Sequence, residues 1–206
     1  MSLGNLMAHV QEAQLVSDGR HRILQAASLL FAQRGFGSVS ISDVAESAGL
    51  VKSSIYHHFE SKEALYAAVM TDVVHYSCEQ MEAGAKGATW RERLRGATFA
   101  LSQLTGPNSH ALSLILGGIA QTPENQKGKK TDKVAPLRQE FISVLVREIT
   151  SGIKAGDLRR MDTELAALAL VGVVTAVLQS ADESSMNERV SFAFDLFLQG
   201  VQRRKE

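Results

Sequence analysis

The stretch VKSSIYHHF, residues 51–59, concentrates hydrogen-bonding chemistry on a segment only about two helical turns long. Lys52 supplies an ammonium, Ser53 and Ser54 hydroxyls, Tyr56 a phenol, and His57 and His58 imidazoles. This is not a metal-ligand set. Adjacent helical residues point apart, so His57 and His58 do not converge on one ion, and no third ligand lies nearby. His9, His21, His75 and His110 show no metal spacing either. Nor does the chain carry a glycine-rich phosphate loop, a GxSxG elbow, an HExxH pair or paired carboxylates in an apolar stretch. Mixed donors and acceptors of this kind suit the base edges and phosphate oxygens of a nucleic-acid duplex.

Such groups must be presented by rigid elements, and the flanking sequence supplies them. Ser40 opens a helix with Asp43 three residues on as capping-box partner, and Val44, Ala45 and Ala48 give it a narrow inner face. Gly49 ends it after barely two turns. The next helix, 52–59, is anchored by Ile55 and Phe59 at i and i+4. Ser61 caps a long helix, 62–83, whose apolar stripe reads Leu65, Val69, Val73 and Tyr76. Upstream, Asp18 is the expected cap of a helix over 18–34 with Ile23, Ala27, Leu30 and Phe31 at helical spacing, stopped by Gly35. Residues 1–17 read as a mobile arm. Two short helices joined by a tight glycine turn make a helix-turn-helix, whose second helix enters the major groove.

The segment ILQAASLLFAQRGFGSVSISDVAESAGLVKSSIYHHFESKEALYAAV, 23–69, resembles the N-terminal domain of the tetracycline-repressor (TetR) family of bacterial transcription regulators. Four pieces carry the likeness in order: an aliphatic helix ending FAQRGF, then SISDVAESAG, SIYHHF and SKEAL. The resemblance implies that Ser40 matches a helix-opening hydroxyl that caps and touches phosphate, with Ser42 close by. It implies that Lys52, Ser53 and Ser54 match the base-reading start of the recognition helix. Tyr56 matches a phosphate-contacting tyrosine, His57 a position that faces DNA more often than His58, and Lys62 a lysine that grips backbone phosphate at a helix start. Val51 departs from the pattern: the family often has Ser or Thr there, so the recognition helix lacks its usual N-cap.

Charge and composition bound the rest. Lysine plus arginine equal aspartate plus glutamate, 22 each, which argues against a protein that coats nucleic acid without regard to sequence. Residues 18–66 are balanced too, so recognition has to rest on a few well-placed groups rather than a basic field. Cys78 is the single cysteine, and no secretory signal pattern opens the chain; a cytoplasmic location and an inert core thiol are expected. The apolar run 165–181 falls short of a bilayer span and reads as a buried helix, with no membrane partner.

Beyond residue 84 the expected helices lie near 90–105, 109–121, 133–151, 163–181 and 187–203, with 124–133 a solvated loop. The fold expectation is therefore all-α, about nine helices, with a helix-turn-helix domain at 18–66 and a ligand-binding and dimerisation domain at 67–206. In the family the last two long helices usually pair with the same helices of a second subunit. The stripes Leu165, Leu168, Val173 and Val190, Phe194, Phe197, Val201 are the expected homodimer interface, with Phe192 and Leu196 outside them. An apolar pocket lined by Phe99, Leu112, Leu116, Phe141 and Leu145 is expected for a small apolar or amphipathic effector, with Arg95, His110 and Arg147 as orienting groups. No cofactor is expected. The function expected is a sequence-specific, homodimeric regulator of a palindromic operator on double-stranded DNA, a repressor released by that effector. A ligand-independent architectural DNA binder and a helical-bundle enzyme are the alternative readings.

Overall fold

A computed structural model describes residues 3–104, 115, 135–179 and 185–203, and among these the chain is built from eight helices. They are α1 (Leu3–Ser38), α2 (Ile41–Ala48), α3 (Lys52–His58), α4 (Lys62–Gly84), α5 (Trp90–Gln103), α6 (Ala135–Lys154), α7 (Thr163–Leu178) and α8 (Met186–Val201). The only strand-like pairing among them is a single antiparallel bridge, Leu158 with Gln202. The expected helix over 109–121 lies outside the described residues, apart from Ile115, which is helical and buried.

The N-terminal expectation needs correction. Helix α1 begins at Leu3, so Asp18 lies inside it rather than at its N-cap, and residues 3–17 are helical. The run LMAHVQEAQLV is rich in good helix formers, and no proline interrupts it. Gly35 does adopt a positive φ of 73°; the axis kinks there, and one further turn follows to Ser38. In α4 the inward stripe is Leu65, Val69, Met70, Val74, Ser77 and Met81, while Val73 is half-buried and Tyr76 is exposed. The stripe follows Val74 and Ser77 because α4 packs against both α5 and α6, whose shared side lies there.

Helices α1 to α3 pack around Ile23, Ala27, Phe31, Val44, Ala45 and Ile55, and α1 also packs on α4. The larger part joins α4 to α5 and α6, α6 in turn to α7, and α8 to α7 and α5. Apolar burial is continuous from one part to the other along α4. Where α4 ends, Gly84 meets Gly96 of α5 so closely that a β-carbon on Gly96 would overlap the Gly84 carbonyl. Glycine is needed at this crossing because backbone meets backbone. Gly96→Ala is expected to lower the unfolding free energy by about 1–3 kcal/mol, as overpacking does. An unchanged urea midpoint would show that the two helices have room to separate there.

Candidate nucleic-acid interface

The start of α2 is fastened by its own side chains. Ser40 has extended dihedrals (φ −102°, ψ 160°), and its Oγ accepts the Asp43 amide at 3.1 Å. The Ser40 amide and hydroxyl both donate to the Asp43 carboxylate at 2.7 Å, which holds that carboxyl below the ordinary range. At the other end Gly49 is left-handed (φ 64°, ψ 38°). The Gly49 and Leu50 amides donate back to Glu46 and Ala45, the two-bond ending that a left-handed glycine permits. Arg22 of α1 adds a bond that sequence spacing did not reveal: its Nη2 donates to the Ala48 carbonyl at 2.5 Å. A cation there complements the negative end of α2 and ties the turn to α1.

The turn delivers α3 with one side committed to the core. Ile55 is fully buried and Phe59 nearly so. Consequently Lys52, Ser53, Tyr56 and His57 are exposed, Ser54 and His58 half-buried. Lys52 and Tyr56 stand one turn apart, the ammonium 6.0 Å from the ring centre. His58 turns back towards α1, where a β-carbon on Gly19 would touch its Nε2 at 3.4 Å. Burial first, then the neighbouring His57 and Arg20, hold its imidazole below the ordinary value, so it favours the neutral form. Ser40 and Ser42 are exposed at the start of α2. Lys62 differs: its Nζ donates to the Val39 carbonyl at 2.7 Å and lies over the Phe36 ring. It is a fastened cation rather than a free one. Among the described residues no group of histidine, cysteine and carboxylate side chains is arranged to hold a metal.

The other expected sites divide. Val190, Phe194, Phe197 and Val201 are at most 8% exposed within the single chain, although Phe197 and Val201 line the groove between α7 and α8. They pack α8 into its own bundle. The exposed apolar side of α8 carries Phe192 and Leu196 instead, because residues two apart on a helix point to nearly opposite sides. On α7, Leu165 is 65% exposed while Leu168 and Val173 are half-buried. Between these helices runs a groove of about 430 Å³, lined by Met161, Leu165, Ala169, Val173, Leu196 and Gly200 among others.

Of the expected effector pocket, Phe141 and Leu145 are fully buried and Phe99 half-buried. Leu112, Leu116 and His110 lie outside the described residues. Arg147 is already engaged by carboxylates. Arg147 grips Glu82 with both terminal nitrogens, at 2.6 and 2.9 Å, and its Nε donates to Glu148 at 2.8 Å. Arg93 donates to the same Glu148, a carboxylate only 2% exposed, at 2.7 Å. The sequence reading missed this network, since Glu148 sits in an otherwise apolar helical pattern. Arg95 lies over the Phe99 ring at 5.6 Å. The Cys78 thiol is half-buried and pushed up to about 11, by burial first and then by Glu140 and Glu82. It stays protonated at neutral pH, as an inert thiol does.

Val51 has the extended dihedrals of an N-cap (φ −86°, ψ 152°), no side-chain oxygen, and 67% exposure. Val51→Ser is therefore expected to stabilise the protein by about 1 kcal/mol, by giving the first amides of α3 an acceptor. A urea midpoint that does not rise would mean those amides are already satisfied.

Residues 23–69 match the model of the family described as bacterial regulatory proteins, tetR family. The chain is 40% identical over 146 residues to the HTH-type transcriptional repressor KstR2 of Mycobacterium tuberculosis, covering 69% of this chain and 72% of that one. It is 40% identical over 190 residues to the HTH-type transcriptional regulator YdgC of Bacillus subtilis, covering 87% and 89%. Among solved structures, a TetR family transcription regulator from Marinobacter aquaeolei VT8 superposes with a TM-score of 0.76 at 20% identity, covering 93% of this chain and 100% of that one. No described helix is long and apolar enough to cross a membrane. With its helix-turn-helix built and exposed as above, the chain belongs to the tetR family and is a DNA-binding transcription regulator.

Proposed function

We propose that the protein is a homodimeric repressor, working in the cytoplasm, that leaves its operator when a small apolar or amphipathic effector binds. The observation that carries this reading is the division of α3. Ile55 and Phe59 are sunk in the core, and the hydrogen-bonding side chains are left outside. Lys52, Ser53 and Ser54 stand at the N-terminal end of α3, the part of a recognition helix that reaches base edges. Tyr56, His57, Ser40 and Ser42 contact phosphates on either side, fixing register rather than reading sequence.

The partner is a second copy, seated on the exposed face of α7 and α8. Leu165 and Leu196 line the groove and Phe192 is exposed one turn from Leu196 on α8, a concentration of large apolar side chains that marks an interaction site. Pairing about a two-fold axis gives a palindromic operator with half-sites roughly 34–36 Å apart. The effector occupies the space between α5 and α6 near Phe99, Phe141 and Leu145. Both helices pack on α4, which leads directly to the DNA-reading helices. The relative KstR2 is by name a ketosteroid transcriptional regulator, which supports an effector of largely apolar character. A ligand preferring one setting of α4 lowers DNA affinity by its difference in affinity between the settings, about 1–3 kcal/mol.

Selection from a random-sequence duplex pool at moderate salt tests the DNA reading, and a palindromic winner is expected. Substitution of Lys52 or Ser54 by Ala should then relax base preference by about 1–3 kcal/mol per lost bidentate contact. A pool with no enriched sequence would sink the function. Steroids and fatty acids added to the selected complex should displace the protein; affinity unmoved across such a panel would remove the effector from the proposal.

The interface makes a separate prediction. Phe192→Asp should yield a folded monomer by light scattering, because a carboxylate buried in an apolar contact has no partner. Phe194→Asp should instead unfold the chain. If Phe192→Asp remains a dimer, α7 and α8 are not where the copies meet.

A further inference from the structure

The ammonium of Lys62 is seated between two groups that both attract a cation. The Val39 carbonyl accepts from Nζ at 2.7 Å, and the centre of the Phe36 ring lies 4.3 Å away. Lys62 is half-buried, and Val39, which immediately precedes the Ser40 cap, is 2% exposed. One turn further along α4, Tyr66 packs on Phe36 with ring centres 4.9 Å apart and meets Phe31 edge-on at 5.1 Å. Residues four apart share a helix face, so Lys62 and Tyr66 together hold the segment 36–39 against α4. That segment ends at the N-cap of α2. Where α2 begins, and therefore where exposed Ser40 and Ser42 stand, is fixed by α4 through these contacts.

We propose that Lys62 is a positioning residue for DNA recognition: it locks the start of α2 to α4, and it acts on affinity through Ser40 and Ser42 rather than by neutralising a phosphate. The inference rests on the DNA-reading role given above. It departs from what the family resemblance implies for this lysine. Here one donor of the ammonium is committed to the Val39 carbonyl and its charge to the Phe36 ring before any DNA arrives.

The test uses the full chain, the duplex enriched from the random pool by the unmodified protein, and a shuffled duplex, each titrated over a range of salt. Lys62→Met should weaken binding to the selected duplex about tenfold, the scale of a charge-assisted hydrogen bond. Loss on the shuffled duplex should be comparable, because Ser40 and Ser42 meet phosphates, and the slope of log affinity against log salt should not change. Amide exchange over residues 36–43 should accelerate. Lys62→Arg, which still donates to Val39 and lies over Phe36, should retain both affinity and protection. Phe36→Leu should give the Lys62→Met pattern in weaker form, and it carries the test if Lys62→Met does not fold. A slope flattened by about 0.9 per protomer would assign the ammonium to a phosphate and overturn the proposal. Unaltered exchange over 36–43 would overturn it as well. If the unmodified protein enriches no duplex, the DNA reading fails by itself. The exchange measurement needs no DNA and still decides whether Lys62 holds this segment.

Discussion

A seven-residue helix does not hold its shape in water, because nucleating it costs more than its few hydrogen bonds return. Helix α3 exists only because Ile55 and Phe59 are buried against its neighbours, and its orientation is the orientation those two anchors dictate. The rest of the DNA-reading surface follows from that constraint. Gly49 sets the angle between α2 and α3, Arg22 ties the end of α2 to α1, and the Ser40–Asp43 box fastens the first turn of α2. None of these residues need touch DNA for the recognition helix to depend on them.

Helix α4 serves both parts of the molecule. Its first turns hold α1 and the segment 36–39 through Lys62 and Tyr66. Its later turns pack on α5 and α6, and its last turn is gripped by Arg147 through Glu82. Arg147 also donates to buried Glu148, which Arg93 holds from α5. A buried carboxylate is costly unless its oxygens are satisfied, and here each oxygen has a guanidinium. The network thus ties α4, α5 and α6 in a defined register, where apolar contacts alone would permit sliding.

What was legible in the sequence was whatever local chemistry decides. Ser40, Gly49 and Ser61 announce helix ends, and each does its work within four residues of chain. Ile55 and Phe59 are readable because a short amphipathic helix has only one apolar side. Where a helix is apolar on two sides, periodicity fails: nothing in the spacing of Val190 and Phe194 says that they are buried in their own bundle while Phe192 and Leu196 stand exposed. Arg22 to Ala48, Arg93 to Glu148 and Lys62 to Val39 join residues 23 or more apart, and no local pattern encodes such pairs. The absence of a side-chain cap at Val51 was legible for the opposite reason, since capping is local.

The contact of Gly84 with Gly96 gives α4 a fulcrum. Two backbones in direct contact have no side chains to bend, so a tilt of α4 against α5 would pivot at this point. At about 1.5 Å per residue, Lys62 lies some 33 Å from that point along the helix axis. A tilt of about 5° there carries the far end through about 3 Å, roughly one base-pair step of a duplex. In a two-fold pair the displacements of the two heads combine. A shape change within the bundle too small to disturb its packing is thereby multiplied, by leverage alone, into a mismatch of register that neither recognition helix could absorb.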